Sequence, residues 1–159
     1  MANENFITKL EKGRAEFAYE CVENAIKDIT LKDKSKYKSY VKKLLPMILS
    51  NGLGQTLVFV KAKSNSSSAD AYAYRLIYTQ LTNYLTKNDS PSRIKMPQNE
   101  KELIKWVINL DSTNYRYLTN YRYLTEELLS FLNWLKRFSE GLIEDKNNTQ
   151  GVENAQTTK

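Results

Sequence analysis

The sequence predicts an all-α fold, a compact helical bundle of about five to seven helices with a long C-terminal helix. Three observations carry this. Five Gly and three Pro in 159 residues leave room for long uninterrupted segments. Apolar residues, 41% of the chain, recur at three- and four-residue steps along most of it. The strand-favouring run Val58-Phe59-Val60 has no second β-patterned run to pair with, and an isolated strand is not stable, so it too is read as helix.

The first helix is expected from residue 5 to about residue 29. Ala15, Ala18, Val22, Ala25 and Ile29 form its stripe, widened by Ile7, Leu10, Phe17 and Cys21. Asn5 is a candidate cap and Gly13 its weak spot. A second helix is expected over residues 35–50, capped by Ser35, with Tyr37, Tyr40, Val41, Leu44, Leu45, Ile48 and Leu49 inward. Pro46 should kink or break it, and Gly52 suits a left-handed residue past its end.

After the helix at 53–63, residues 64–70 read as a polar loop and capping region. A helix over 70–86 should bury Ala71, Tyr74, Ile77, Tyr78, Leu81, Tyr84 and Leu85. Residues 87–97 are a loop held by Pro91 and Pro97, and a short helix is expected over 98–109. The last helix should run from about Ser112 to Glu144, with a stripe of Tyr117, Tyr121, Leu124, Leu128, Leu132, Leu135, Phe138 and Leu142. Residues 1–145 therefore form one domain. Residues 146–159, rich in Asn, Gln and Thr, read as a disordered tail.

NYRYLT occurs twice in tandem, at residues 114–119 and 120–125. Six helical residues rotate the chain by about 240° net, so the two copies must face different ways. Tyr123 should fall well off the stripe. The repeat reads as a local duplication that lengthened the helix.

An active site is not legible. The chain has no His and one Cys, which removes the commonest acid-base residue, an internal disulfide and Cys/His metal sites. Glu126 and Glu127 are adjacent, but neighbouring helix residues point about 100° apart and do not converge. The carboxylates at Glu11, Asp33 and Glu102 alternate with Lys in the pattern of a solvated face. Residues 51–54, Asn-Gly-Leu-Gly, lack the Lys-Ser/Thr of a phosphate loop and read as a turn between helices. Cys21 reads as a buried structural thiol. No cofactor, metal or enzymatic activity is expected. No apolar run reaches the length of a membrane span and no signal core is evident, so a cytoplasmic protein is expected.

The formal charge is +6, unevenly placed: residues 1–31 carry −2 and residues 32–43 carry +5. Lys32, Lys34, Lys36, Lys38, Lys42 and Lys43 interleave with Tyr37 and Tyr40. Lysines attract backbone phosphates and tyrosines can stack on single-stranded bases. The same pattern also fits an ordinary solvated face with tyrosines in the core, or an adaptor whose basic surface meets acidic proteins. Lys61, Lys63, Arg75, Lys136 and Arg137 are further candidates.

Residues 121–142, YRYLTEELLSFLNWLKRFSEGL, resemble the signature of the small helical subunit of the type III-B CRISPR effector (the Cmr complex). Tyr-Arg, Thr-Glu and Trp-Leu-Lys-Arg-Phe follow in the family's order. Tyr40, Leu44, Pro46, residues 51–54, Thr56, Phe59 and Lys63 fit its middle segment, and Arg14-Ala15 its opening helix. The likeness covers roughly residues 5–144, and the second NYRYLT copy is the one that aligns with it.

The resemblance implies a non-catalytic subunit of an RNA-guided, RNA-targeting antiviral complex. Copies would stack in an inner filament beside the backbone subunits and hold guide-target RNA. Carried onto this chain, Lys136 and Arg137 are the leading RNA-binding candidates, followed by Lys42, Lys43 and Lys63, while Lys61 and Arg75 are RNA-binding candidates by their charge alone. Partners would be the other Cmr subunits, guide and target RNA, and copies of the chain, with no membrane.

Overall fold

The computed structural model describes residues 2–110 and 116–145. Among these residues six helices follow in order: α1 Ala2–Lys27, α2 Lys34–Asn51, α3 Leu53–Ser64, α4 Ala69–Thr86, α5 Leu103–Ile108 and α6 Arg116–Leu142. Among the described residues there is no strand. Val58-Phe59-Val60 lies inside α3, as its lack of a pairing partner requires. The expected start at Ser112, the side chain of Tyr117 and the tail from residue 146 lie outside the described residues.

Caps explain most boundaries. Asp33, not Ser35, caps α2, its carboxylate accepting from the Lys36 N–H at 3.2 Å. Ser68 caps α4 through Ala71 N–H at 3.2 Å. Glu102 caps α5 through Lys105 N–H at 3.1 Å, which shortens the expected 98–109 helix to six residues. Pro46 does not break α2. It sits on the solvent face, where the Lys42 carbonyl it leaves unbonded can be hydrated.

α6 packs along α1 and α2, and α4 packs against α3 and α2. The predicted stripes enter the core except near helix ends. Ile29, 87% exposed, lies beyond the end of α1, and Leu31 turns inward instead. Ile7, Leu49 and Leu142 are also exposed, and Ile143 fills the place expected for Leu142. Tyr123 is exposed, as the repeat's rotation predicts.

At the meeting of α1, α4 and α6, Tyr84 stacks on Phe131 at 4.1 Å and 7°, and Phe17 stands edge-on to both. Beside these rings lies a buried polar centre. The Arg14 guanidinium donates to Glu127 Oε2 at 2.7 Å and to Glu11 Oε1 at 2.5 Å. Tyr84 donates to Glu127 Oε1 at 2.7 Å, and Arg93 to Glu127 Oε2 at 3.2 Å. Trp134 Nε1 closes the circuit on Glu11 at 3.0 Å. Among the described residues no buried side-chain polar atom lacks a partner.

Glu11, Asp33 and Glu102 are therefore not the plain solvated carboxylates that their spacing suggested. The first braces Arg14 and Trp134, and the other two are caps. Sequence alternation reports the local face of a helix, but caps and ion pairs draw on residues beyond that face.

Candidate nucleic-acid interface

The turn at Gly52 sets the site. Its φ of +84° belongs to a region that favours glycine, and its N–H donates to Ile48 O at 2.9 Å. α3 consequently folds back beside α2. Phe59 of α3 then comes under Lys43 of α2, whose Nζ lies 5.1 Å from the ring centroid. Lys63 follows Phe59 by one helical turn, and its Nζ lies 5.7 Å from the same centroid. Tyr74 of α4 stands edge-on to Phe59 at 5.9 Å and stacks on Tyr40 at 4.2 Å.

A cleft of about 320 Å³ opens here, with Tyr40, Lys43, Lys63, Ser66 and Ser68 among its walls. Asp70 also lines it, but Lys36 binds that carboxylate at 2.6 Å. Among the described residues, neither Lys43 nor Lys63 has a carboxylate within ion-pair distance. Two ammonium groups share one aromatic ring and line one cleft, so an anion in the cleft would meet both charges.

The other candidates divide. Lys42 pairs with Glu140 at 3.5 Å, and Lys61 with Glu102 at 3.9 Å while lying 4.7 Å over Tyr78. Arg75 donates to the carbonyls of Ser64 and Ser66, both at 3.0 Å, and so braces the loop beside the cleft. Lys136 is half-buried and Arg137 exposed, both on α6. Among the described residues no hydrogen bond or ion pair joins them to the Lys43–Lys63 pair.

Most of the basic run serves the fold. Lys34 donates to the carbonyls of Asp28 and Leu31, and Lys38 to Ile143 O at 2.7 Å and to Asp145 at 2.7 Å. Tyr37 is buried and donates to Gln80 at 2.7 Å, so it cannot meet a base. Tyr40 keeps a partly exposed ring.

The carboxylate pair behaves as its spacing predicts: Glu126 meets Arg122 at 3.0 Å on the surface while Glu127 points inward. Burial would raise Glu127, but hydrogen bonds from Arg14 and Tyr84 and the Arg14 charge outweigh it. The carboxyl is held below its usual range. Burial pushes the Cys21 thiol up to about 12, against nucleophilic use. Among the described residues no cluster of His, Cys, Asp or Glu could hold a metal ion. No described helix is long and apolar enough to cross a membrane.

The Phe59 platform was not read from the sequence. Phe59 and Lys63 stand at helical spacing and could have been paired, whereas Lys43 joins them only through the turn at Gly52.

A family model described as CRISPR-associated protein (Cas_Cmr5) matches residues 10–142. The chain belongs to this family. It is a small subunit of the type III-B Cmr complex, and family membership implies assembly with other Cmr subunits. The match contains α2 to α5 whole and most of α1, with α6 reaching its last residue. The Cmr match therefore includes both the buried Arg14–Glu127 centre and the Phe59 platform.

Proposed function

We propose that this Cmr subunit is a non-catalytic scaffold of a cytoplasmic RNA-guided antiviral complex, gripping RNA phosphates through Lys43 and Lys63. The observation that carries this reading is the pair of uncompensated ammonium groups on one ring. A polyanion satisfies both at once, and release of its counterions drives association. Such contacts fix the strand's position without reading sequence, so specificity comes from guide-target pairing and cleavage from other subunits. Arg75 supports the cleft from behind. Lys136 and Arg137 form a second basic point on α6, reached by another segment of RNA or by a neighbouring copy in a stacked filament.

The test uses the assembled effector complex. Charge reversal of the pair, Lys43→Glu with Lys63→Glu, should leave incorporation intact and weaken target-RNA retention, most severely at low salt. Retention equal to that of the unaltered complex would remove the cleft from RNA binding. Lys136→Glu with Arg137→Glu tests the second point in the same way, with assembly and retention both read.

A further inference from the structure

We propose that the groove between α3, α5 and the first described turns of α6 holds one unpaired RNA base whose phosphates sit on Lys43 and Lys63. This rests on the RNA-binding reading above and goes further, since it assigns an unpaired base to a site that phosphate contacts do not require.

The groove is the larger cavity, about 640 Å³, within the roughly 300–1,000 Å³ usual for small-molecule pockets. Its floor is apolar: Val58, Phe59, Val107 and Ile108. Val58 is 50% and Ile108 60% exposed, so water now covers apolar surface that a planar base would cover instead. At the rim stand Asn51 and Gln55, both exposed, and neither amide hydrogen-bonds to another described residue. An amide offers one acceptor and two donors, the complement of a base's pairing edge. A paired base has that edge occupied, so the groove selects an unpaired nucleotide.

Phe59 is the wall that joins groove to cleft. It lines the groove and also lies under both uncompensated lysines. An apolar side chain from a protein would fill the floor as well. It would leave the two amides and the two ammonium groups unanswered, which a nucleotide satisfies together.

The test measures binding of the full chain, at low salt, to four probes. These are a single-stranded oligouridine ribonucleotide, the same strand with abasic residues, a fully paired RNA duplex and a duplex with one unpaired uridine. The single strand and the duplex with the unpaired uridine should each bind about tenfold or more tighter than their abasic and fully paired counterparts, since a stacked base contributes about 1–3 kcal/mol. Tighter binding in the first comparison alone would place the base in a flanking single strand, and in the second alone in a bulge of the duplex. Filling the groove with Val58→Trp should abolish that difference and keep the binding of the abasic strand.

Equal affinity for all four probes would overturn the groove proposal and leave the phosphate reading standing. Loss of every RNA interaction in the unaltered chain would sink the parent reading and the groove with it. If Val58→Trp expels the chain from the effector complex yet preserves the base-dependent difference, a protein side chain occupies the groove, and the proposal fails.

Discussion

Arg14 and Glu127 meet at 2.7 Å across 113 positions of sequence, with the carboxylate 1% exposed. Their contact ties α1 to α6, and Tyr84 draws α4 onto the same oxygen pair. An ion pair this deep owes its stability to full satisfaction of both partners. Charges taken out of water lose hydration that only good geometry and further hydrogen bonds restore.

Removing one partner strands the other. Glu127→Ala leaves the buried Arg14 with half-exposed Glu11 as its remaining carboxylate and takes the acceptor from the Tyr84 hydroxyl, and should cost about 3 kcal/mol. That is a large share of the roughly 5–15 kcal/mol typical of a folded domain. Urea denaturation at neutral pH measures it. Glu126→Ala, one residue away on the surface, should fall within about 0.5 kcal/mol of the unaltered chain. Replacing both partners, Arg14→Met with Glu127→Leu, should recover part of the loss, because neither buried charge remains while the Tyr84 hydroxyl still lacks its acceptor.

Acid should act through the same carboxylate. Glu127 is held below the ordinary glutamate value of 4.5, so it remains ionised in the fold when the unfolded chain has already bound a proton. In that window the unfolded state carries more protons, and lowering the pH favours it. The contribution of Glu127 is complete above 4.5 and is lost as pH falls through the folded value. Urea midpoints recorded from neutral pH into acid should show this fall. Glu127→Gln should start lower and lose less, so the two curves converge on acidification. Parallel curves would assign acid sensitivity to other groups, such as Glu11, which its hydrogen bond from Trp134 also holds low.

Two glycines should respond to alanine for different reasons. A Cβ on Gly13 would lie 2.9 Å from Pro91 Cβ, where α1 meets the loop after α4. Alanine gains about 1 kcal/mol of helix propensity there, against an overpacking cost of about 1–3 kcal/mol. A net loss of about 1 kcal/mol is expected by thermal melting. At Gly52 the nearest atom is 3.6 Å away, but φ is +84°. Alanine there should destabilise by strain alone, about 1 kcal/mol or more. It should also loosen the α2–α3 turn that brings Lys43 to Phe59, lowering RNA affinity, whereas Gly13→Ala should leave affinity unchanged.

These positions show what the sequence could disclose. Periodicity located the described helices other than α3, because apolar spacing is a local property that burial obeys, and α3 followed from the want of a strand partner for Val58-Phe59-Val60. The resemblance carried by residues 121–142 pointed to the right family. What escaped was pairing across the chain. Gly13 looked like a defect until Pro91 was seen against it, and the divergence of Glu126 from Glu127 gave no sign of the Arg14 opposite Glu127. The basic run misled in the same way. Lys34, Lys36 and Lys38 read as one positive track, yet each is engaged by a carbonyl or carboxylate from elsewhere in the fold. Charge counts do not reveal which lysines are already spoken for.

That distinction gives the last prediction. Lys42 and Lys43 are neighbours in sequence, and Lys61 and Lys63 nearly so, but one of each couple is neutralised by Glu140 or Glu102. Counterions condense on RNA, and each ammonium that replaces one lowers the log-log salt slope by about 0.7–0.9. Lys43→Gln and Lys63→Gln should each flatten the slope by about that much, and together by about twice it. Lys42→Gln and Lys61→Gln should leave it nearly unchanged, because their charges are already offset within the protein. Their surface pairs are also weak, so folding midpoints should hold in all four variants. Filter binding across a salt series reads the slopes directly. Equal flattening by all four would mean that RNA senses only the net charge of the face. The geometry around Phe59 would then be irrelevant to binding, since four lysines of unequal pairing would have contributed alike.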